Sequence, residues 1–128
     1  NEHVYGKDGI VKQAKAGRKV ICDRYLFSSL AYQSLFMDYD TVAQLNRFYP
    51  LPEYLFYIDL SPEECQKRMA KRGEEAELFE KLELQRKIDA NYKKTLSLLS
   101  SSDMKTVIID GRASIEEIHS QICRVLGL

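Results

Sequence analysis

The 128-residue chain is long enough for one domain with a hydrophobic core and too short for two. Its hydrophobic fraction of 45% is typical of a globular protein and too high for a disordered one. Its 19 basic and 19 acidic residues give a net charge of zero. This balance offers no electrostatic reason to expect nucleic acid or an anionic membrane as a partner, so any basic site must be local.

The three cysteines, Cys22, Cys65 and Cys123, are widely spaced and lie in apolar stretches. This pattern argues against a disulfide framework or a zinc cluster and predicts buried, reduced thiols. We find neither a membrane-spanning apolar run nor a signal peptide, and we therefore expect a cytoplasmic protein.

In the first half of the chain, apolar spacing predicts the end of a helix from about Tyr5 to Lys15, with a stop at Gly17. The apolar run Lys19–Asp23 predicts a strand buried on both faces. A helix from about Phe27 to Phe36 follows, and Asp40 is the predicted cap of the next helix.

The second half predicts two more buried strands and three helices. They are a strand at Tyr54–Asp59, a helix capped by Ser61 and ending near Gly73, a long helix from about Glu77 to Leu99, a strand at Thr106–Asp110, and a last helix that opens with a capping box of Ser114 and Glu117.

Strands that alternate with helices and are apolar on both faces predict an α/β fold with a parallel sheet. Each predicted strand ends in an aspartate: Asp23, Asp59 and Asp110. Ligands of such sheets bind outside the carboxyl ends of the strands. For Asp59 and Asp110 we prefer the simpler interpretation that Asp favours the turn that leaves a strand.

The segment Asp23–Gln33 places polar groups in the first turns after a predicted strand. Arg24 offers a planar charged fork that suits phosphate, Asp23 offers oxygen to magnesium, and a helix start adds free N–H donors. Ser28 and Tyr32 share one helix face, as do Ser29 and Gln33. An alternative remains open on chemistry alone: Asp23 and Arg24 form a plain ion pair, and the serines cap the helix.

This segment resembles a known motif. Asp23-Arg24-Tyr25, followed by Ser28-Ser29 and Ala31-Tyr32-Gln33, is similar to the Asp-Arg-Tyr motif of the thymidylate kinase family. The resemblance continues in order along nearly the whole chain, through Asn1–Arg18, Ser61-Pro62-Glu63-Glu64, Arg72-Gly73-Glu74, Phe79-Glu80, Tyr92, Val107–Asp110 and Ser114–Glu117.

The resemblance implies a P-loop nucleoside monophosphate kinase-like fold, a parallel sheet flanked by helices, with three of the family's five strands present. It also implies transfer of the ATP γ-phosphoryl to thymidine monophosphate (dTMP), with Mg²⁺, in the synthesis of dTDP and dTTP. The family forms homodimers through helices beside the acceptor site, with which the apolar Leu26, Phe27 and Leu30 are compatible.

By the same resemblance, Arg24 binds the acceptor phosphate and stabilises charge during transfer, and Asp23 lies in the magnesium shell through water. Ser28, Ser29 and Gln33 belong to the acceptor pocket, and Ser29 stands near the base edge. Tyr32 lies against the sugar, where it disfavours a ribose 2′-hydroxyl.

Residues 68–80 resemble the family's lid. The resemblance implies that Arg68 and Arg72 contact the phosphates of ATP from this lid. The family often carries another basic residue before Phe79, where this chain has Leu78. A plainer interpretation of the nearby basic residues is i, i+4 pairing of Glu63 with Lys67 and of Glu64 with Arg68.

A Gly-x-x-x-x-Gly-Lys-Ser/Thr loop, which cradles ATP phosphates in this class, is absent from the 128 residues. In the family it follows the first strand, upstream of the segments matched here. We therefore interpret residues 1–128 as a single, N-terminally truncated domain that is inactive alone. Two alternatives are another nucleoside or deoxynucleoside monophosphate kinase and a non-catalytic nucleotide-binding remnant.

Overall fold

The computed structural model describes residues 2–71 and 78–128; for residues 78–80 it describes the backbone alone. Its elements, in chain order, are α1 (Glu2–Tyr5), α2 (Ile10–Lys15), α3 (Leu26–Gln33), α4 (Tyr39–Asn46), β1 (Tyr54–Asp59), α5 (Pro62–Ala70), α6 (Leu78–Leu98), β2 (Lys105–Asp110) and α7 (Ile115–Leu126).

The sheet confirms two of the predicted strands. Strands β1 and β2 pair in parallel, in a register that runs from Tyr54 beside Lys105 to Asp59 beside Asp110. Helices α5 and α6 lie between them in the chain, as a parallel pair requires. The two strands therefore end at the same edge of the sheet.

The predicted strand at Lys19–Asp23 is wrong, because the segment has no strand conformation and is exposed. The side chain of Ile21 is 89% exposed and that of Val20 is 39% exposed. A strand needs a neighbour to satisfy its backbone groups, and in the described part of the chain β1 pairs only with β2. The described part of the chain therefore forms two strands. We had expected it to contain three of the five strands of the family.

The core lies between helices α3, α4 and α6. It is built on buried apolar side chains, with Thr95 of α6 buried beside them: Leu26, Phe27, Leu30, Val42 and Met104. The Thr95 hydroxyl is hydrogen-bonded to Tyr39 Oη at 2.7 Å and donates to the Asn91 carbonyl. Since Leu26, Phe27 and Leu30 are only 4–6% exposed, they hold this core together and offer no surface to a second subunit.

Helix starts follow local chemistry. Ser61 caps α5, and Ser114 with Glu117 forms the predicted capping box of α7. Asp38, not Asp40, caps α4, accepting from the Thr41 amide at 3.1 Å. The helix predicted from about Tyr5 to Lys15 is divided, since α1 ends at Tyr5 and α2 begins at Ile10. Gly9 lies between them, where a Cβ would be 2.6 Å from the Val4 carbonyl oxygen, so this close approach requires glycine.

All three cysteines are free thiols, as predicted, but their predicted burial is wrong. Cys22 is exposed because its segment joins no sheet, while Cys65 and Cys123 are half-buried. Burial raises the pKa of the Cys65 thiol. None of the helices in the described ranges is both long and apolar enough to cross a membrane.

Candidate functional site

Arg24 has an unusual backbone conformation. Its φ of 64° lies in the left-handed region, and it is the one non-glycine residue with positive φ in the described part of the chain. This conformation costs a non-glycine residue about 1–2 kcal/mol. Glycine would adopt it freely, so Arg24 carries a backbone strain that the surrounding structure must offset.

The Arg24 side chain is exposed, and none of the described residues neutralises its charge. The guanidinium carbon lies 5.4 Å from the centroid of the Tyr32 ring. Of the described carboxylates, Asp23 included, none lies within ion-pair distance of it. The alternative of an Asp23–Arg24 ion pair is therefore wrong, and the charge is available to an anion.

The first turn of α3 also lacks the predicted serine cap. Its N-cap residue, Tyr25, makes no side-chain capping bond. The Ser28 hydroxyl is hydrogen-bonded to Tyr92 Oη at 2.8 Å. The open N–H groups and positive dipole end of α3 therefore lie directly after Arg24, an arrangement that suits a phosphate.

The side chain of Tyr25 points into the protein, in the opposite direction to that of Arg24. Its ring packs at a tilt against those of Phe27 and Tyr49, and burial raises its pKa. The left-handed bend at Arg24 thus separates an inward tyrosine from an outward arginine. This orientation presents Arg24 beside the start of α3.

Tyr92 of α6 joins two of the predicted site residues. In addition to its bond to Ser28, its ring meets that of Tyr32 edge-on, with centroids 6.4 Å apart and an interplanar angle of 86°. Asn91 donates from Nδ2 to the Ala31 carbonyl at 3.0 Å, which fixes α6 against α3. Tyr92 was not among the predicted site residues; its phenol on an otherwise apolar helix face is the signal in the sequence that marks it.

The remaining predicted residues of this region are near but not joined to the cluster. Asp23 is exposed and directly precedes Arg24. Ser29 is half-buried in α3, and Gln33 is exposed at its end. No side-chain hydrogen bond links any of the three to another described residue. The structure therefore brings Arg24, Tyr32 and Ser28 together. The side chains of Asp23, Ser29 and Gln33 are hydrogen-bonded to none of the described residues.

The predicted lid region is only partly described. Arg72 lies outside the described residues. Arg68 donates to the Gly111 carbonyl at 3.1 Å, and its Nε lies 3.6 Å from Glu64, as the i, i+4 interpretation predicted. The other predicted pair is wrong, since Glu63 accepts from Arg86 at 2.8 and 3.0 Å, which lowers the Glu63 pKa.

Gly111, whose carbonyl accepts from Arg68, lies close to the end of β1 at the carboxyl edge of the sheet. Its amide donates to the Asp59 carbonyl at 2.7 Å, and a Cβ at this position would lie 2.9 Å from the same oxygen. The close approach therefore requires glycine. Asp110 serves the turn, as predicted: Arg112 donates to it from both the amide and the guanidinium and lowers its pKa to about 2.

A groove beside these strand ends is less suited to an anion than Arg24 is. Each cation among the described residues that line it is paired with an acid: Arg86 with Glu63, Lys93 with Asp89, and Arg112 with Asp110. These ion pairs neutralise the charge that a phosphate would need.

Comparison with known proteins decides the family. The family model for thymidylate kinase matches residues 1–122. The chain belongs to the thymidylate kinase family.

The relatives that it resembles are longer than this chain. It is 38% identical over 126 residues to a protein of Treponema pallidum named as a thymidylate kinase, covering 95% of this chain and 60% of that protein. It is 39% identical over 122 residues to a Pyrococcus abyssi protein that is also named as a thymidylate kinase, covering 94% of this chain and 57% of that protein. The chain thus spans somewhat more than half the length of these relatives.

Magnesium accompanies ATP in this family, and the described residues fit a limited protein contribution to it. They contain no group of three or more His, Cys, Asp or Glu side chains that could hold a metal. Mg²⁺ usually keeps several waters and takes one or two carboxylates together with substrate phosphates. The exposed Asp23 carboxylate beside Arg24 suits that mode.

Proposed function

We propose that the protein is a thymidylate kinase that transfers the γ-phosphoryl of ATP to dTMP, and that this chain carries its acceptor site. The observation that carries the proposal is Arg24, an exposed arginine that has no ion-pair partner among the described residues and is held in a left-handed conformation beside an uncapped helix start. Membership of the thymidylate kinase family supports the same activity.

In this proposal Arg24 binds the acceptor phosphate with its bidentate fork and stabilises the charge that develops during transfer. Asp23 would help to hold Mg²⁺ through water, and Mg²⁺ bound there would neutralise charge on the transferring phosphates. Arg68 and Arg72 act from the lid region on the phosphates of ATP, Arg68 from its position beside Gly111.

The acceptor nucleoside occupies the face of α3 that carries Ser28, Ser29, Tyr32 and Gln33. Ser28 and Tyr32 are held by Tyr92, so this face is partly ordered before a nucleotide binds. Tyr32 fills the space that a ribose 2′-hydroxyl would need and thereby favours the deoxyribose acceptor.

We propose further that the protein is a cytoplasmic homodimer. The residues Leu26, Phe27 and Leu30 lie in the core and take no part in that contact. Exposed apolar side chains after α3 and on α4 support a contact surface there: Phe36, Met37 and Leu45.

The test is an acceptor comparison with protein expressed from the complete reading frame. With ATP and Mg²⁺ present, dTMP should give a higher kcat/KM than dCMP, dGMP, dAMP or 5-methyluridine monophosphate. A preference for another monophosphate would identify a different kinase, and no transfer to any of them would identify a non-catalytic nucleotide-binding protein.

Tyr32→Ala extends the same comparison. In this variant, the ratio of kcat/KM for dTMP to kcat/KM for 5-methyluridine monophosphate should fall by a larger factor than the affinity for dTMP does. Loss of affinity for both acceptors by the same factor would show that Tyr32 does not select the sugar.

A further inference from the structure

Arg24 is held by an aromatic ring. Its guanidinium carbon lies 5.4 Å from the Tyr32 ring centroid, within the roughly 6 Å over which a cation is attracted to a ring face. The backbone of Arg24 is fixed by the left-handed bend, but its side chain is long and exposed. In the described part of the chain, the Tyr32 ring is the group that contacts this guanidinium.

The ring that contacts Arg24 is itself restrained. Tyr32 meets Tyr92 edge-on, and the Tyr92 hydroxyl is bonded to Ser28 at 2.8 Å. Tyr92 also packs against Tyr57, with centroids 5.7 Å apart, and the Tyr57 hydroxyl donates to Asp89 at 3.2 Å. Tyr32 is therefore part of a connected set of rings that reaches from α3 across α6 to β1.

An arginine that must meet a phosphate in one orientation loses side-chain freedom when it binds. A ring that already restricts the guanidinium removes part of that cost before the ligand arrives. The Tyr32 contact has this effect without a carboxylate, which would compete with the phosphate for the same charge.

We propose that Tyr32 is a positioning residue for Arg24: its ring face, supported by Tyr92, holds the guanidinium ready for the acceptor phosphate. This inference rests on the proposed function and adds to it a role for Tyr32 distinct from sugar selection.

The test changes the electron density of the ring and leaves its shape almost unchanged. Position 32 is replaced by phenylalanine and then by its 4-fluoro, 3,5-difluoro and 3,4,5-trifluoro derivatives, in protein from the complete reading frame. Each fluorine weakens the attraction of the ring face for a cation. The affinity for dTMP should fall stepwise from the phenylalanine variant onward, by about two- to fivefold across the series.

Thymidine, which lacks the phosphate, separates positioning from packing. Its affinity should change by less than that of dTMP across the series, because Arg24 acts on the phosphate, while the contact of Tyr32 with the sugar is common to both ligands. A flat response for dTMP, or an equal loss for dTMP and thymidine, would overturn the proposal. In an Arg24→Ala background the fluorines should no longer change the affinity for dTMP, and a persisting response would also overturn it.

Phe48 provides a matched control. Its ring is exposed and lies beneath Arg47, with the guanidinium carbon 4.5 Å from the centroid. The same fluorinated series at position 48 weakens a comparable arginine–ring contact outside the site. It should leave the affinity for dTMP unchanged, and a similar decline there would overturn the assignment to Tyr32.

A measurement without nucleotide keeps this inference separate from the proposed function. The Arg24 Nε–H proton should show an upfield ring-current shift by NMR, and Tyr32→Leu should abolish the shift. Absence of the shift would overturn the contact even in an active kinase. If the shift is present but dTMP is never phosphorylated, the contact stands and the proposed function fails.

Discussion

At the scale of single residues, Arg24 shows what a sequence can and cannot indicate. The residue types in Asp23-Arg24-Tyr25 suggested a phosphate site and left an ion pair equally open, because spacing alone does not fix where side chains point. The left-handed backbone of Arg24 and the outward direction of its side chain depend on three-dimensional packing around Tyr25. They remove the ion-pair alternative and make Arg24 the centre of the proposed site.

Replacing Arg24 with glycine should separate stability from activity. Glycine relieves a backbone cost of about 1–2 kcal/mol and loses about 0.4–1 kcal/mol through its greater freedom in the unfolded chain. Arg24→Gly should therefore be more stable than Arg24→Ala by roughly 0.5–1 kcal/mol in urea denaturation, while both lose phosphoryl transfer. Equal stability of the two variants would show that the left-handed conformation is not adopted in solution.

Tyr57 should make stability fall at high pH. Burial, followed by the nearby Asp89 carboxylate, raises its pKa above the ordinary value of 10.0. A group whose pKa is raised in the folded state stabilises the fold fully below its unfolded pKa and loses that contribution as the pH rises through the folded value. The free energy of unfolding should therefore decline above about pH 10.

Tyr57→Phe removes this titration and should flatten the alkaline decline, as measured by denaturant unfolding at several pH values. The same slope in the variant and in the parent protein would contradict the assignment.

At the scale of elements, local chemistry was predictable and pairing between distant segments was not. The capping box of Ser114 with Glu117 depends on nearby residues and forms as predicted, and the apolar run Tyr54–Asp59 forms its predicted strand with β2 beside it. The segment Lys19–Asp23 has an equally apolar pattern but forms no strand, because a strand also needs a partner. The bond between Ser28 and Tyr92 joins residues far apart in sequence, so no spacing rule could predict it.

The capping box offers a test at this scale. Ser114→Ala removes the acceptor of the Glu117 amide, now bonded at 3.2 Å, and should lower the free energy of unfolding by about 0.5–2 kcal/mol. The matched control is Ser120→Ala in the middle of the same helix, where Ser120 is exposed and alanine is the better helix former. An equal effect of the two substitutions in thermal or urea unfolding would show that α7 does not depend on its cap.

At the scale of the whole molecule, the best-packed part of the described chain is also the part that supports the proposed site. Leu26, Phe27 and Leu30 bury one face of α3 against α4 and α6, which leaves Ser28 and Tyr32 directed at Tyr92. The sheet is less complete, since β1 pairs on one side only in the described residues and the segment before Arg24 is exposed. The activity proposed here is therefore best measured on the product of the complete reading frame.

The most direct measurement is the formation of dTDP from ATP and dTMP by that protein and by its Arg24→Ala variant, assayed side by side. The parent protein should form dTDP. Arg24→Ala should fold normally but lose at least about tenfold in kcat/KM, since a charged hydrogen bond of this kind contributes about 1.5–3 kcal/mol. A parent protein that forms no dTDP, or a folded Arg24→Ala variant with unchanged turnover, would contradict the account.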